Sequence, residues 1–123
     1  MTDRDRSAIW YRQLLDMTVR RENVSPDGSV RDVCLVEPNT GLEICLVEYA
    51  SGSREPFDEF RPGLDHLEFL VANRSDLDDW AARLDALGIP HSGVKEPSYT
   101  QNAMITFRDP DNVQLEFFWF APL

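Results

Sequence analysis

The sequence predicts an α+β domain built from two tandem copies of one βαβββ unit, and three observations predict it. Two amphipathic helical patterns recur at a displacement of 70 residues, with Trp10 falling on Trp80, Leu14 on Leu84 and Met17 on Leu87. A turn sequence, Glu37-Pro38-Asn39, recurs near Asp109-Pro110-Asp111 at a displacement of 72. Apolar runs of strand length flank both turns. Chance supplies any one of these matches easily, but not all of them in order.

The stronger helix is predicted over Ser75–Leu87. Ser75 is its N-cap, Asp76, Asp78 and Asp79 favour the positive end, and Leu77, Trp80, Ala81, Leu84 and Leu87 form one face. Gly88 closes it and Pro90 prevents continuation. The first helix is predicted from a cap at Asp5 to Leu15, with Ala8, Trp10, Tyr11, Leu14 and Leu15 as its apolar positions. By this periodicity Trp10 and Trp80 are core residues.

Around the second helix the chain reads as strand Leu64–Val71, a short strand near His91–Val94, strand Ala103–Arg108, turn Asp109–Asn112 and strand Val113–Phe120. Around the first it reads as strands Met17–Glu22, Val30–Glu37 and Leu42–Tyr49, with a turn at Pro38–Gly41. Residues 1–49 are therefore a first module, 50–63 a Gly-, Ser- and Pro-containing linker, and 64–123 a second module. Under the 70-residue shift Leu64–Leu70 maps before Met1, so the first module reads as αβββ, without the leading strand.

Composition narrows the function class. A net charge of −10, from 22 acidic and 12 basic residues, argues against nucleic acid, which needs concentrated Lys and Arg. It is compatible with a cationic ligand, although a solvated acidic surface explains it more simply. No apolar run is long enough to span a membrane, and the charged start, Met1-Thr2-Asp3-Arg4-Asp5-Arg6, is unlike a signal peptide. Cys34 and Cys45 are too few for a disulfide scaffold and fit a reducing cytoplasm; set on neighbouring strands, they could form a redox pair.

Strand alternation sorts the candidate site residues. On the first strand of the second module, Leu67, Phe69 and Val71 make an apolar side, leaving His66, Glu68 and Leu70 on the other. On the last strand, Val113, Leu115, Phe117 and Trp119 are apolar, leaving Gln114, Glu116 and Phe118 opposite. One imidazole and two carboxylates suit a borderline divalent ion such as Zn, Fe, Mn or Ni, though strands also carry His and Glu on solvated faces without any ligand. His91 follows Gly88-Ile89-Pro90 and is a candidate acid or base. Arg108-Asp109 reads as an ion pair in the turn, and Phe117–Phe120 as a run buried on both sides.

Tandem βαβββ units resemble the vicinal-oxygen-chelate superfamily of glyoxalases, bleomycin-resistance proteins and dioxygenases. So do the strings Pro62-Gly63-Leu64-Asp65-His66-Leu67-Glu68-Phe69 and Phe107-Arg108-Asp109-Pro110-Asp111-Asn112-Val113-Gln114-Leu115-Glu116-Phe117. Asn112 stands where that family usually has Gly, and Asn also tolerates positive φ. The resemblance implies a curved mixed sheet forming a cup with the helices outside. It also implies metal ligands at His66 and Glu116, with Glu68 as auxiliary ligand or base. Tyr99, Asn102, Met104 and Phe118 become candidates for lining the cup and binding substrate. The first module's matching carboxylate position falls on Ile44 or Cys45, and neither is a carboxylate. The resemblance implies a small-molecule-binding protein, which in metal-dependent members is a lyase, isomerase or dioxygenase acting on an oxygen-bearing substrate. The alternatives are a metal-free ligand-binding or drug-sequestering protein and an inactive, truncated member. Dimers are common in the family, and an unpaired strand edge favours a homodimer here.

Overall fold

The first unit, Met1–Phe57, runs helix α1 (Arg4–Leu15), then strands β1 (Thr18–Val24), β2 (Val30–Val36) and β3 (Glu43–Tyr49). This computed structural model describes residues 1–98 and 101–121. Helix α1 starts at Asp3, whose carboxylate accepts from the Arg6 N–H at 2.9 Å. The predicted cap, Asp5, instead lies inside the first turn, where its carboxylate holds Arg4 and Arg31. Asp16 ends the helix in the left-handed region at φ 51°. The buried face is Ser7, Ala8, Tyr11, Leu14 and Leu15. Trp10 is only half-buried and meets Tyr11 edge-on, so the core reading for it is corrected.

The three strands form an antiparallel meander in the order β1-β2-β3. Alternation splits the β2–β3 ladder cleanly: Val33 and Leu46 pair on one face, and Cys34 and Cys45 on the other. Val33, Leu35 and Leu46 are almost wholly buried, and α1 packs against β2 and β3. The turn between them is organised by Glu37, which accepts from the N–H groups of Asn39 and Thr40 and from the Thr40 hydroxyl. These bonds, the Thr40 hydroxyl foremost, hold the Glu37 carboxyl at about 2, far below the ordinary 4.5. A depressed carboxylate stabilises the fold above its unfolded value and loses that contribution as pH falls through about 2. An NMR titration should therefore show Glu37 ionised well below the other glutamates. Glu37→Gln should remove that pH-dependent part of stability; a midpoint near 4.5 would contradict the turn geometry.

The second unit, Asp58–Leu123, contains β4 (His66–Leu70), α2 (Asp76–Ala86), β5 (Ala103–Arg108) and β6 (Gln114–Trp119). Its sheet has the order β4-β6-β5, with β4 parallel and β5 antiparallel to the central β6. Ser75 occupies the N-cap position but makes no side-chain cap bond; Asp76 reaches back to the Asn73 N–H at 2.8 Å instead. Gly88, at φ 67°, lets its own N–H and that of Ile89 close onto the Asp85 and Leu84 carbonyls. The short strand predicted near His91–Val94 is not formed. Two isolated bridges, His91 to Phe107 and Lys95 to Met104, replace it. Pro90 lacks an N–H, and Gly93 turns the chain at φ 70°, so a continuous ladder is interrupted.

Phe117, Leu115, Ile105, Leu77 and Leu84 are the most buried residues of this unit. Trp80, half-buried like Trp10 rather than a core residue as predicted, stacks on Phe117 with ring centroids 4.0 Å apart, while Phe107 flanks the same ring at 5.1 Å. Phe120 is 55% exposed, so the run Phe117–Phe120 is not buried throughout.

The repeat survives in detail. Asp109 organises the β5–β6 turn as Glu37 does its own, accepting from the N–H groups of Asp111 and Val113. Asn112 (φ 68°) and Gly41 (φ 74°) hold matching left-handed positions. Just past β4, the Val71 N–H donates to the Phe118 carbonyl; in the first unit the Met1 amine donates to the Val47 carbonyl. The expected Arg108–Asp109 ion pair does not form, because Asp109 is committed to the turn and Arg108 turns to Glu59 at 2.7 Å. Among the described residues no helix is long and apolar enough to cross a membrane.

Candidate metal centre

The parallel β4–β6 pairing sets Glu68 beside Glu116 and His66 beside Gln114, and the antiparallel β5 sets Thr106 beside Glu116. All point away from the Leu67, Leu115 and Phe117 side, as strand alternation requires. The ligand atoms of His66, Glu68 and Glu116 lie within 4.8 Å of one another. Glu68 is exposed, His66 intermediate and Glu116 only 7% exposed.

The surroundings orient these groups. His66 Nδ1 meets the Asp65 carboxylate at 2.6 Å, which leaves Nε2 as the nitrogen with a free lone pair when the ring is neutral. The Gln114 amide donates to Glu116 Oε1 at 2.8 Å, fixing the buried carboxylate. The His66 pKa is raised above the ordinary 6.5. The Asp65 hydrogen bond is the main cause and burial opposes it, while the charges of Glu116, Asp65 and Glu68 add to it. A cluster that holds a proton on imidazole by negative charge offers the same field to a cation. Imidazole plus two carboxylates, with an outer carboxylate on the imidazole, fits a divalent transition metal and leaves coordination positions for other ligands.

The other sequence candidates are distributed around this cluster. Met104 pairs with Phe118 on the same face of the sheet. His91 lies outside the three-residue cluster. Its Nδ1 accepts from the Gly93 N–H at 3.1 Å, so its Nε2–H points to Asp85 at 3.0 Å. It nevertheless lines a cavity of about 320 Å³ together with Thr106, Arg108 and Gln114. Asn102 lines a second cavity, of about 330 Å³, with Arg74, Glu96 and Trp119. Tyr99 lies outside the described residues. Sequence reading passed over Asp65, Glu59 and the orienting amide of Gln114. Gln114 carried a signal, since alternation places it on the Glu116 face.

A family model of the Glyoxalase/Bleomycin resistance protein/Dioxygenase superfamily matches residues 1–117. The chain belongs to this superfamily. Among solved structures of similar chains is a glyoxylase/bleomycin resistance protein/dioxygenase domain from Frankia sp. EAN1pec. It is 34% identical, covers 97% of this chain and 90% of its own, and has a TM-score of 0.83. The structure of SMU.1112c is 28% identical over 96% of this chain and 91% of its own, with a TM-score of 0.74. A mutant of the fosfomycin resistance protein FosX from Listeria monocytogenes, complexed with Mn(II) and 1S,2S-dihydroxypropylphosphonic acid, shares the fold. It is 18% identical over 97% of this chain and 85% of its own, with a TM-score of 0.67. No curated protein matched significantly.

Superfamily membership gives the first unit's register a meaning. The ladder pair next to the turn is Arg108–Gln114 in the second unit and Val36–Glu43 in the first. Counting along the strands from these pairs, Cys45 takes the place of Glu116, and Cys34 that of Thr106. The choice between Ile44 and Cys45 is thereby decided for Cys45. Cys34, Glu43 and Cys45 also cluster within 4.8 Å, but the two sulfurs are bonded to each other, which leaves only Glu43, itself paired with Arg20 at 2.7 Å, as a carboxylate donor of that cluster.

Proposed function

We propose that this chain is a divalent-metal-dependent enzyme of the lyase, isomerase or dioxygenase kind, acting on a small molecule that presents oxygen ligands. The observation that carries the reading is the convergence of His66, Glu68 and Glu116 on one sheet face, with ligand atoms within 4.8 Å. His66 and Glu116 serve as metal ligands. Glu68, the exposed member, serves as third ligand or as the base that takes a substrate proton. Zn, Mn, Fe and Ni all suit this donor set, and a bound ion of this kind would polarise the substrate's oxygens.

The remaining candidates take supporting roles. Met104 and Phe118 give substrate an apolar wall beside Glu116, and His91, exchanging its Nε2–H bond to Asp85 for one to substrate, serves the adjoining cavity as a proton donor. Asn102, and Tyr99 on sequence grounds alone, complete the substrate contacts. Homodimerisation belongs to the same reading. Among the described residues no strand pairs with the outer edge of β3, and a second chain would cover its unpaired backbone groups.

A second reading, a metal-free binding or drug-sequestering protein, is favoured by one observation: Cys45 stands where the second unit has Glu116. Elemental analysis separates the two, on protein purified without chelator or immobilised nickel and then exposed to Mn, Zn, Fe or Ni. Near-stoichiometric metal is expected. No uptake of any of the four would overturn the metal-enzyme reading and leave the binding protein. Sedimentation equilibrium on the same sample should give twice the 14.1 kDa chain mass; a monomer would remove the dimer from the reading.

A further inference from the structure

Cys34 and Cys45 stand directly opposite on β2 and β3 and are joined as a disulfide. Their surroundings are unequal in two respects. Cys34, on the central strand, has no accessible surface, whereas Cys45, on the edge strand, is exposed. The Arg21 guanidinium places Nε 3.2 Å from the Cys34 sulfur, and a Glu43 carboxylate oxygen lies 3.5 Å from the Cys45 sulfur. Two further charges attend the pair. Asp32 reaches 4.0 Å from Cys34 and is held by the Asn23 amide, and Arg20 binds the other oxygen of Glu43 at 2.7 Å.

We infer that this disulfide is a thiol-exchange site at which a low-molecular-weight thiol attacks Cys45 and expels Cys34. Displacement at sulfur requires the incoming thiolate to reach one sulfur from the side opposite the other. Burial closes that approach at Cys34, and exposure leaves it open at Cys45. The departing sulfur carries away the negative charge, and a thiolate leaves faster where a cation stabilises it. At Cys34 the Arg21 cation, at 3.2 Å, is nearer than the Asp32 carboxylate, at 4.0 Å, while the nearest charged group at Cys45 is a carboxylate. Access and electrostatics therefore select the same direction.

The step balances. The attacking thiolate sulfur bonds to the Cys45 sulfur, the Cys34–Cys45 bond breaks, and its electron pair stays on Cys34 as thiolate. A second equivalent of the same thiol attacks the small-molecule sulfur of the mixed disulfide and breaks its bond to Cys45. It leaves with the first as the small-molecule disulfide, and Cys45 is released reduced. Two electrons pass from the small thiols to the protein, and the product dithiol takes up two protons in all. The strands stay in place meanwhile, because all seven residues of β2 pair with β3 and the Val33, Leu35 and Leu46 face remains buried.

The test treats the folded, oxidised full chain with glutathione, quenches with N-ethylmaleimide and maps both groups by peptide mass. Glutathione on Cys45 with maleimide on Cys34 is expected. Glutathione on Cys34, an even split, or no exchange short of denaturation would overturn the inference. The leaving-group role is tested separately by the rate. Arg21→Gln should slow the first exchange roughly three- to tenfold, as expected for a leaving thiol of higher pKa. Arg12→Gln, a change on the exposed side of α1, should leave the rate unaltered. Equal rates in Arg21→Gln and the parent chain would remove Arg21 from the site.

Discussion

In the proposed metal centre, replacing His66 with alanine is expected to weaken divalent-metal binding by at least about 100-fold, because loss even of an outer-shell partner commonly costs about 10–100-fold. Two contributions disappear together: the nitrogen donor, and the use of Asp65 to orient it. Glu116→Gln produces a loss of similar size for a different reason. The side chain keeps its shape and its place beside Gln114, but the buried negative charge facing the proposed ion site is gone. Asp65→Asn is the milder variant, about 10-fold, since it leaves every donor in place and disturbs only the orientation of the ring. Isothermal titration with Mn or Zn gives the order, and far-UV circular dichroism shows whether the fold is kept. His66 is intermediate in exposure on an edge strand, so its truncation leaves the Phe117 core untouched. Unchanged affinity in folded His66→Ala would remove this residue from the ligand set. An inverted order, with Asp65→Asn the weakest binder, would reassign the coordinating group to the aspartate.

Phe117→Ala costs about 3–5 kcal/mol of stability, the range for a large aromatic truncated in a packed core. Phe117 is 1% exposed and touches three rings, those of Trp80, Phe107 and Phe69. It also sits on the central strand of the second sheet, so the cavity opens where β4, β5 and α2 all depend on it. Domains of this size are stable by about 5–15 kcal/mol, so the variant should be marginal at best. Urea denaturation followed by tryptophan fluorescence measures the change and uses the stacked Trp80 as reporter. A loss below about 1 kcal/mol would mean that the aromatic cluster relaxes into the cavity.

Much of this architecture was legible because its signals are periodic. The spacing of Leu77, Trp80 and Leu84 marks the second helix, and alternation along β4 and β6 places His66, Glu68 and Glu116 on one face from the sequence alone. What stayed hidden depends on loops and local competition. Glu59 meets Arg108 from a loop far away in sequence, where no period relates the two. Asp109 offered an adjacent charge to Arg108 but was already engaged by backbone N–H groups of its turn. Trp10 and Trp80 match the helical period, yet a residue at the margin of the apolar stripe remains half-covered. The choice between Ile44 and Cys45 could not be made from sequence, because the two turns differ by one residue and only ladder pairing counts across them.

The strand order of the second sheet also governs when the His66, Glu68 and Glu116 cluster can assemble. The first unit is a meander whose hairpins join neighbours in the chain, so short loops close first and at low entropic cost. In the second, β4 pairs with β6 only after α2, the connection behind it and β5 have been laid down. His66 and Glu68 come from one side of that distant pairing and Glu116 from the other. Non-local parallel pairings are slow to form, since chain entropy is lost before the contacts are gained. A nascent or partly folded chain therefore has separate carboxylates and an imidazole but no shared ligand cluster. In the proposed centre, ion capture would then mark completion of the β4–β6 pairing, and a metal-sensitive fluorophore in a refolding experiment would follow that closure directly.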